Sequence, residues 1–530
     1  MSDDDLTRPI GDAPALPPVP AAREDRSGRR RRERPERRSL AAVLGLTVAN
    51  AVVPGTAFLA SGRRRLGAAV LVVFLLLLAG GVWLATAGQR TAARLAVDST
   101  RLTWVLVALV VLALAWAVVV VAGYRALLPR RSSRPRLAVG ALLVAALVAG
   151  IAYPAFLVGE AAVAQQGLLD GVFADDRESA TVDDAVDPFG AKERVNVLLL
   201  GGDGGEGREG VRTDTVIVAS LDTDTGATTL FSLPRNLEDL PFPADSPLAE
   251  LYPDGFDAGS ESESLLNAVY RNGPAAHPDV LGPTDDPGAD FLKLGVGEAL
   301  GLHLDYFVLV NLDGFSRLVD ALGGITVNVN YYVPVNGNPG TGELPDSYIA
   351  PGPDQRMDGG TALAFARGRF GLTDYDRMDR QRCTISAIIE EADPITLLEQ
   401  YQELAATTQD IVSTDIPRAA LDDFVDLAFL VKDAEIRSVV FDDSVIDPAY
   451  PDYDRMRQIV QESITPAAPA SSAPPAAPGD QAAGSEGGAS GQTPEPPPAA
   501  PATDVGDACA YDPVRAQEAL DAGEPPSKDG

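Results

Sequence analysis

Between residues 40 and 158 the chain carries four apolar stretches, at about 40–60, 66–87, 102–123 and 137–158. Each approaches the roughly 20 residues that a helix needs to cross about 30 Å of hydrocarbon. Such a run has few folded alternatives, because it has no polar face to offer water and a helix satisfies its backbone internally. A cleavable leader is a poor description, since three further stretches follow the first and no short apolar region is set off by a cleavage site.

Arginines assign the sides. The segment 124–136 holds Arg125, Arg130, Arg131, Arg134 and Arg136, and short basic loops stay cytoplasmic. The last stretch then runs outward, with 88–101 outside, Arg63, Arg64 and Arg65 inside, and everything after about residue 159 extracytoplasmic. The basic N-terminus also favours the inside, which is incompatible with a full first crossing. Asn50, Pro54 and Gly55 weaken that first stretch, so a re-entrant or interfacial hairpin and three true crossings are expected.

These features divide the chain. Residues 1–39, polar and ending in an arginine run, read as a disordered cytoplasmic tail, a charge anchor rather than a nucleic-acid arm. Residues 40–158 form the membrane region, 159–190 a juxtamembrane tether, 191–465 a folded domain, and 466–530 a disordered Pro-, Ala- and Gly-rich tail. In the domain, VNVLLL (195–200), TVIVASL (215–221) and TTLFSL (228–233) read as buried central strands. Further strands are expected at 307–310, 325–329 and 437–441, and helices near 265–271, 291–301, 314–322, 359–366, 376–391 and 417–431. Their alternation predicts an α/β fold.

One segment is anomalous in charge. Arg367, Arg369, Arg377, Arg380 and Arg382 fall within 16 residues of a chain whose formal net charge is −32. Guanidinium groups present a planar fork that fits phosphate or carboxylate oxygens in pairs. The alternative is a solvated face paired with Asp374, Asp376 and Asp379. On a helix from 376 to 391, Arg377, Gln381 and Thr384 share one stripe, bordered by apolar Met378, Ile385, Ile388 and Ile389, which puts the polar stripe at a cleft rim. Asp203 and Asp214 emerge at strand ends, where open α/β sheets place ligands, and Arg235 follows the third strand. Taken singly, either aspartate is equally a turn or cap residue. The glycine-rich 201–207 lacks the Lys and Ser/Thr of a phosphate loop.

Together, RTDT (212–215), SLPRN (232–236), LLNAVY (265–270), DGF with LVDALGGITVNV (313–329) and the DGGTALAFARGRF and DYDRMDRQ runs (358–381) resemble the LytR-CpsA-Psr family over about 195–441. The multi-span N-terminus and the Ala- and Arg-rich composition resemble its actinobacterial branch. The resemblance implies a three-layer α-β-α domain around a mixed sheet. It implies transfer of an anionic glycopolymer, such as teichoic acid, capsule or arabinogalactan, from a polyprenyl-pyrophosphate carrier to peptidoglycan. By the same resemblance Arg212, Arg235, Arg367, Arg369 and Arg377 hold the pyrophosphate with Asn267 and Gln381. Asp203 and Asp214 bind Mg²⁺, with Mn²⁺ as the alternative, and one of them takes the proton of the attacking hydroxyl. Asn236, Asp374 and Arg380 support them, and Gln381 and Asp374 orient the arginines. A lipid tunnel between sheet and helices is implied, lined by residues such as Leu318, Leu363 or Phe365 that equally suit an ordinary core.

Three positions depart from the family pattern: Asn236 for Asp, Gly205 for an arginine that Arg208 replaces, and Leu265 for a basic residue. His277 and His303 have no triad or zinc spacing around them. Cys383 and Cys509 either pair across the linker or leave Cys383 as a small buried residue. Three functions stay open on these grounds: transferase, polyprenyl-pyrophosphate hydrolase, and non-catalytic envelope scaffold.

Overall fold

A computed structural model describes residues 39–129, 133–173, 177–182, 189, 192–203, 211–392, 412–465 and 502–528. The N-terminal tail to residue 38, Arg130 and Arg131, the glycine-rich 204–210 with Gly205 and Arg208, and 466–501 lie outside the described residues.

The apolar region forms α1 (Leu40–Val52), α2 (Thr56–Ala60), α3 (Arg64–Ala85), α4 (Gln89–Val97), α5 (Ser99–Leu127) and α6 (Arg134–Val172). Helices α3, α5 and α6 are long and apolar enough to cross a membrane. The first stretch is broken between α1 and α2, at the residues expected to weaken it. Gly55 there adopts φ 102°. Buried Asn50 accepts at Oδ1 from the Gly55 and Ala57 amides (3.0 and 3.1 Å) and donates to the Val119 carbonyl of α5 (3.1 Å). One amide side chain thus replaces the backbone bonds that Pro54 and Gly55 interrupt.

Helix α6 runs beyond the apolar stretch, and the segment after it is fastened down. Arg177 donates to the Thr414 carbonyl at 2.7 Å. Ser179, the Ala180 amide and Thr181 all donate to the Asp290 carboxylate, Ser179 at 2.9 Å and Ala180 at 3.1 Å. The expected tether is therefore attached along 177–182.

The domain is built on β1 (Arg194–Gly202), β2 (Thr213–Asp222), β3 (Thr228–Leu233), β4 (Tyr306–Asn311), β5 (Ile325–Val329), β6 (Val333–Val335), β7 (Ser347–Ile349), β8 (Gly352–Met357), β9 (Val412–Thr414), β10 (Ile436–Val440) and β11 (Thr503–Asp504). Seven of them form one mixed sheet in the order β11-β10-β3-β2-β1-β4-β9. The meander β1-β2-β3 is antiparallel, while β4 joins β1 and β10 joins β3 in parallel. Helices follow as α7 (Pro247–Leu251), α8 (Glu261–Ser264), α9 (Leu266–Ala276), α10 (Pro287–Leu300), α11 (Leu312–Ala321), α12 (Gly359–Arg367), α13 (Asp374–Glu391), α14 (Leu421–Val431), α15 (Tyr453–Ile464), α16 (Val505–Ala508) and α17 (Pro513–Ala522).

Both sheet faces are apolar because the strand sequences are, as expected of central strands. Leu198, Leu200, Val216, Val218, Phe231 and Leu233 face α9, α10 and α15. Val195, Val197 and Tyr306 face α14, and Ile217, Ala219 and Leu230 face Ile385 of α13. The result is the expected three layers. The 325–329 strand lies elsewhere: among the described residues β5 pairs with β8 alone, and it packs with α11, α12 and α13. Its alternating burial is that of a sheet with one wet face.

The 466–530 tail needs correction at its far end. Strand β11 pairs antiparallel with β10, and Cys509 is disulfide-bonded to Cys383 of α13. Arg515 of α17 lies over the Tyr331 ring (4.4 Å) and pairs with Asp376 (3.4 Å). Lys528 reaches Glu343 and Asp346 at 2.8 and 3.0 Å. The composition argument fails there because a covalent link and an added strand hold what apolar burial alone cannot.

Candidate functional site

Three strand ends and the first turn of α13 converge. Thr373 caps α13 by accepting from the Asp376 amide (3.1 Å), and Asp376 accepts from the Thr373 amide (3.0 Å). This reciprocal cap fixes the turn that carries Asp374 and Arg377. Asp374 then holds two arginines at once, Arg377 at 2.9 Å and Arg235 at 3.3 Å. Arg235 in turn donates to Asp214 Oδ1 at 2.9 Å, where Asn267 of α9 also donates at 3.4 Å. Asn267, Asp214, Arg235, Asp374 and Arg377 thus form one chain of polar contacts across the end of the sheet.

The electrostatics follow from the packing. Burial alone would raise Asp214, but the Arg235 charge and hydrogen bond, with Arg377 and Arg369 behind them, hold it below its ordinary value. Arg377 is only 3% exposed. Burial lowers its pKa to about 10, opposed by Asp374 and Asp214 and aided by Arg235 and Arg369, so its charge persists at neutral pH. Its Nε, Asn267 Oδ1 and the Thr213 hydroxyl beside Asp214 are buried without a partner among the described residues. The unmet Nε–H of Arg377 suits a ligand that brings its own oxygens, and the unmet Oδ1 of Asn267, an acceptor, suits a ligand hydroxyl.

The expected residues divide into groups. Asp214, Arg235, Asn267, Asp374 and Arg377 are brought together, and Arg369 acts on Asp214 and Arg377 through its charge. Gln381 and Thr384 lie buried on the Arg377 stripe, further inside than the expected rim. Asp203 accepts from the Arg212 amide (2.9 Å), closing the base of the 204–210 loop. The Arg212 side chain turns instead to Glu263 at 2.6 Å. Arg367 ends α12 and is exposed, as is Asn236. Arg380 is a brace: it donates to the Phe365 carbonyl (2.7 Å), the Gly368 carbonyl and the Tyr331 hydroxyl (2.8 Å). Gly368 is required in that turn, since a Cβ there would stand 2.5 Å from the Pro334 carbonyl oxygen. Of the tunnel candidates, Phe365 is core and Leu318 and Leu363 are half-buried.

Sequence reasoning missed Glu263, Arg271 and Asn272. Asn272 donates to Glu263 at 2.8 Å and Arg271 pairs with it. The Asn272 amide foremost, with Arg212 and Arg271, holds Glu263 below its ordinary value. The available signal was Arg271 one helical turn beyond Asn267.

Asp203 and Asp214 are the carboxylates that a hard cation such as magnesium would use here. Two carboxylates sit at paired strand ends, and the described residues hold no group of three or more His, Cys, Asp or Glu placed to ligate a metal. Such a set suits an ion that keeps waters and borrows substrate phosphate oxygens rather than filling a protein cage.

Fold and site together define an α/β domain on an apolar helical base, with arginines and carboxylates assembled at one end of its sheet. The LytR_cpsA_psr family model matches residues 170–454, more than half of the chain, and the chain belongs to that family. A protein named polyisoprenyl-teichoic acid–peptidoglycan teichoic acid transferase TagU from Enterococcus faecalis is 30% identical over 232 residues, covering 42% of this chain and 62% of that protein. The TagU of Halalkalibacterium halodurans is 26% identical over 286 residues, 53% of this chain and 79% of the relative. Biofilm regulatory protein A of Streptococcus mutans is 25% identical over 236 residues, 43% and 52%. The chain therefore spans between about half and four fifths of these relatives. A crystal structure of B. subtilis TagV is 24% identical, with 51% and 97% coverage and a TM-score of 0.35.

Proposed function

We propose that this chain transfers an anionic glycopolymer from a polyprenyl-pyrophosphate carrier to peptidoglycan, outside a membrane crossed by α3, α5 and α6. The observation that carries the reading is the clamp of Asp374 on Arg235 and Arg377 beside ionised Asp214. Displacement at a pyrophosphate develops charge on phosphoryl oxygens, and pre-placed guanidinium groups meet that charge without reorganising. Arg235 and Arg377 grip the oxygens, Arg369 adds charge, and Asn267 keeps Asp214 in register. The arginines hold Asp214 below its ordinary value, so it stays ionised to hold cations, and one of the two carboxylates, Asp203 or Asp214, takes the proton of the attacking hydroxyl. Asp203 and Asp214 would hold the magnesium ion, which supplies charge neutralisation at the phosphoryl oxygens when bound.

Two further observations support the reading. The half-buried Leu199, Val308, Ile385 and Ile389 give the sheet and α13 partly exposed apolar surface, of the kind an apolar carrier chain would contact. The names of the TagU relatives describe this transfer for those proteins.

The test uses the full chain in detergent with a labelled polyprenyl-pyrophosphate glycan, Mg²⁺ and peptidoglycan oligomers, beside Asp214→Ala and Arg377→Ala. Label is expected on peptidoglycan with the wild type and not with either variant. Label released only as free glycan phosphate makes the protein a hydrolase. A donor bound but left intact makes it a scaffold.

A further inference from the structure

The segment that carries Arg235 continues into a cleft beside the core that packs α9, α10 and α15. Its volume is about 510 Å³, and its walls include Asp239, Tyr252, Asp254, Tyr450, Pro451 and Tyr453. Tyr450 is 83% exposed, against 40% and 38% for Leu251 and Leu344, the other exposed large apolar side chains among the described residues of 192–465. The ring is exposed on a fixed backbone. The Tyr450 amide donates to the Asp447 carbonyl (3.1 Å), the Ala449 amide donates to the Asp447 side chain (3.0 Å), and the Glu238 amide donates to the Pro448 carbonyl (3.0 Å). Tyr453 is anchored through its hydroxyl to the Glu238 carbonyl at 2.6 Å. Tyr252 is braced by Phe256 and Phe242, with ring centroids 5.1 and 5.7 Å away.

The acidic walls are pressed together by unusual backbone. Asp239 adopts φ 50°, and Gly255, at φ 98°, approaches it so closely that a Cβ would stand 2.4 Å from the Asp239 carbonyl oxygen. The Asp239 and Asp254 side chains face solvent and neither has a hydrogen bond or ion pair among the described residues. Rigid aromatic faces beside unpaired carboxylates suit a sugar ring: the C–H face packs on the aromatic surface, and hydroxyl groups donate to the carboxylates.

We propose that this cleft binds an uncharged sugar segment of the peptidoglycan acceptor. The assignment rests on the transfer reading above and adds to it the place where the acceptor is held. Charge selects between the two glycans that such a reaction brings together. Burial, and then the nearby charges of Glu261, Asp239 and Asp447, raise the Glu238 carboxyl, which marks a locally negative field. That field repels a polyanionic donor and tolerates neutral acceptor sugars. Three residues lie between Arg235 and Asp239, at most about 14 Å of extended chain. A short oligosaccharide seated in the cleft therefore reaches the arginine site with one hydroxyl.

The test titrates uncharged N-acetylglucosamine oligosaccharides into the full chain in detergent, beside Tyr450→Ala and Asp254→Asn. Both substitutions are at exposed positions, and thermal unfolding confirms that the variants remain folded. Saturable binding is expected for the wild type, weakened about tenfold or more in each variant, with lipid-linked donor binding unchanged. In the transfer assay KM for the acceptor rises while kcat and donor hydrolysis without acceptor hold. The proposal is overturned if the wild type does not bind the oligosaccharide or if both variants bind it as the wild type does. It is equally overturned if Tyr450→Ala weakens the donor instead, or if free anionic polymer competes for the cleft. A wild type that binds the oligosaccharide but transfers nothing would refute the function proposed above and leave the sugar site standing.

Discussion

Asp374 touches the two arginines most central to the site, and its removal tests their coupling. Asp374→Ala leaves Arg235 and Arg377 fully charged but loose, and Arg377 buried beside unmet atoms. A charge-assisted contact is worth about 1.5–3 kcal/mol, so a fall of roughly ten- to a hundredfold in transfer is expected, read as kcat with donor affinity less affected. Arg377→Lys should fare little better, because an ammonium cannot reproduce the fork. The pH profile has a definite sign. Asp214 is depressed below its ordinary 3.8, so its ionised contribution is present above that value and lost only as pH falls through the lower one. Activity limited by Asp214 is therefore flat through neutral pH and down past the ordinary carboxylate range, and an acid limb near pH 6 would assign the titration to another group. At this scale the sequence was readable where residue type dictates chemistry. Arginines clustered in an acidic chain implied an oxyanion, and Arg235, Asp214 and Arg377 do meet. The pairing of Arg212 with Glu263 was not readable, because Glu263 sits 51 positions away and only folding reveals such a pair.

The elements were legible to the degree that their hydrophobic period was. Strands with continuous apolar runs went to the sheet centre, and α13 with its 3.6-residue stripe formed as expected from 376 to 391, two residues longer at its start. β9 was missed because three residues, VST, carry no period. What holds it is electrostatic. Buried Lys293 of α10 donates to Asp415 at 2.6 Å and to the Asp305 carbonyl at 2.9 Å, and Asp415 also accepts from the Phe307 amide at 2.7 Å. Asp415→Ala strands a buried ammonium, which costs about 3–5 kcal/mol and lowers the unfolding temperature of the domain by on the order of 10 °C. The double change Lys293→Met with Asp415→Leu should recover most of that loss in the same thermal scan.

At the scale of the molecule, a covalent link decides what the surface ion pairs cannot. The Cys383–Cys509 disulfide closes a loop across 126 residues, which constrains the unfolded chain by about 4–5 kcal/mol, whereas exposed pairs such as those of Lys528 and Arg515 contribute about 0–1 each. Reduction should therefore release β11, α16 and α17, and trypsin should cleave at Arg515 in the reduced protein well before the oxidised one. The membrane side has a second attachment. Arg94 of α4 pairs with Asp426 of α14, Arg101 of α5 with Asp422 at 2.9 Å, and Arg90 lies over the Phe429 ring at 5.4 Å. This puts α4 beside the domain, as the arginine distribution implied for 88–101, although nothing in α4's own sequence announced its partner. Arg94→Glu with Arg101→Glu should leave the unfolding temperature within about 2 °C while speeding proteolysis between α4 and the domain, and Asp422→Lys with Asp426→Lys should restore protection.

The grip of Asp290 on residues 179–181, together with the seat of α14 on α4, makes a pillar out of what reads in sequence as a leash. A leashed catalyst sweeps a range of heights and meets its targets by diffusion. A pillar works at one altitude. For the transfer proposed above, the layer of wall within reach is then selected by the stature of the domain above its apolar base, and lengthening the chain after α6 shifts that layer only once both footings are cut.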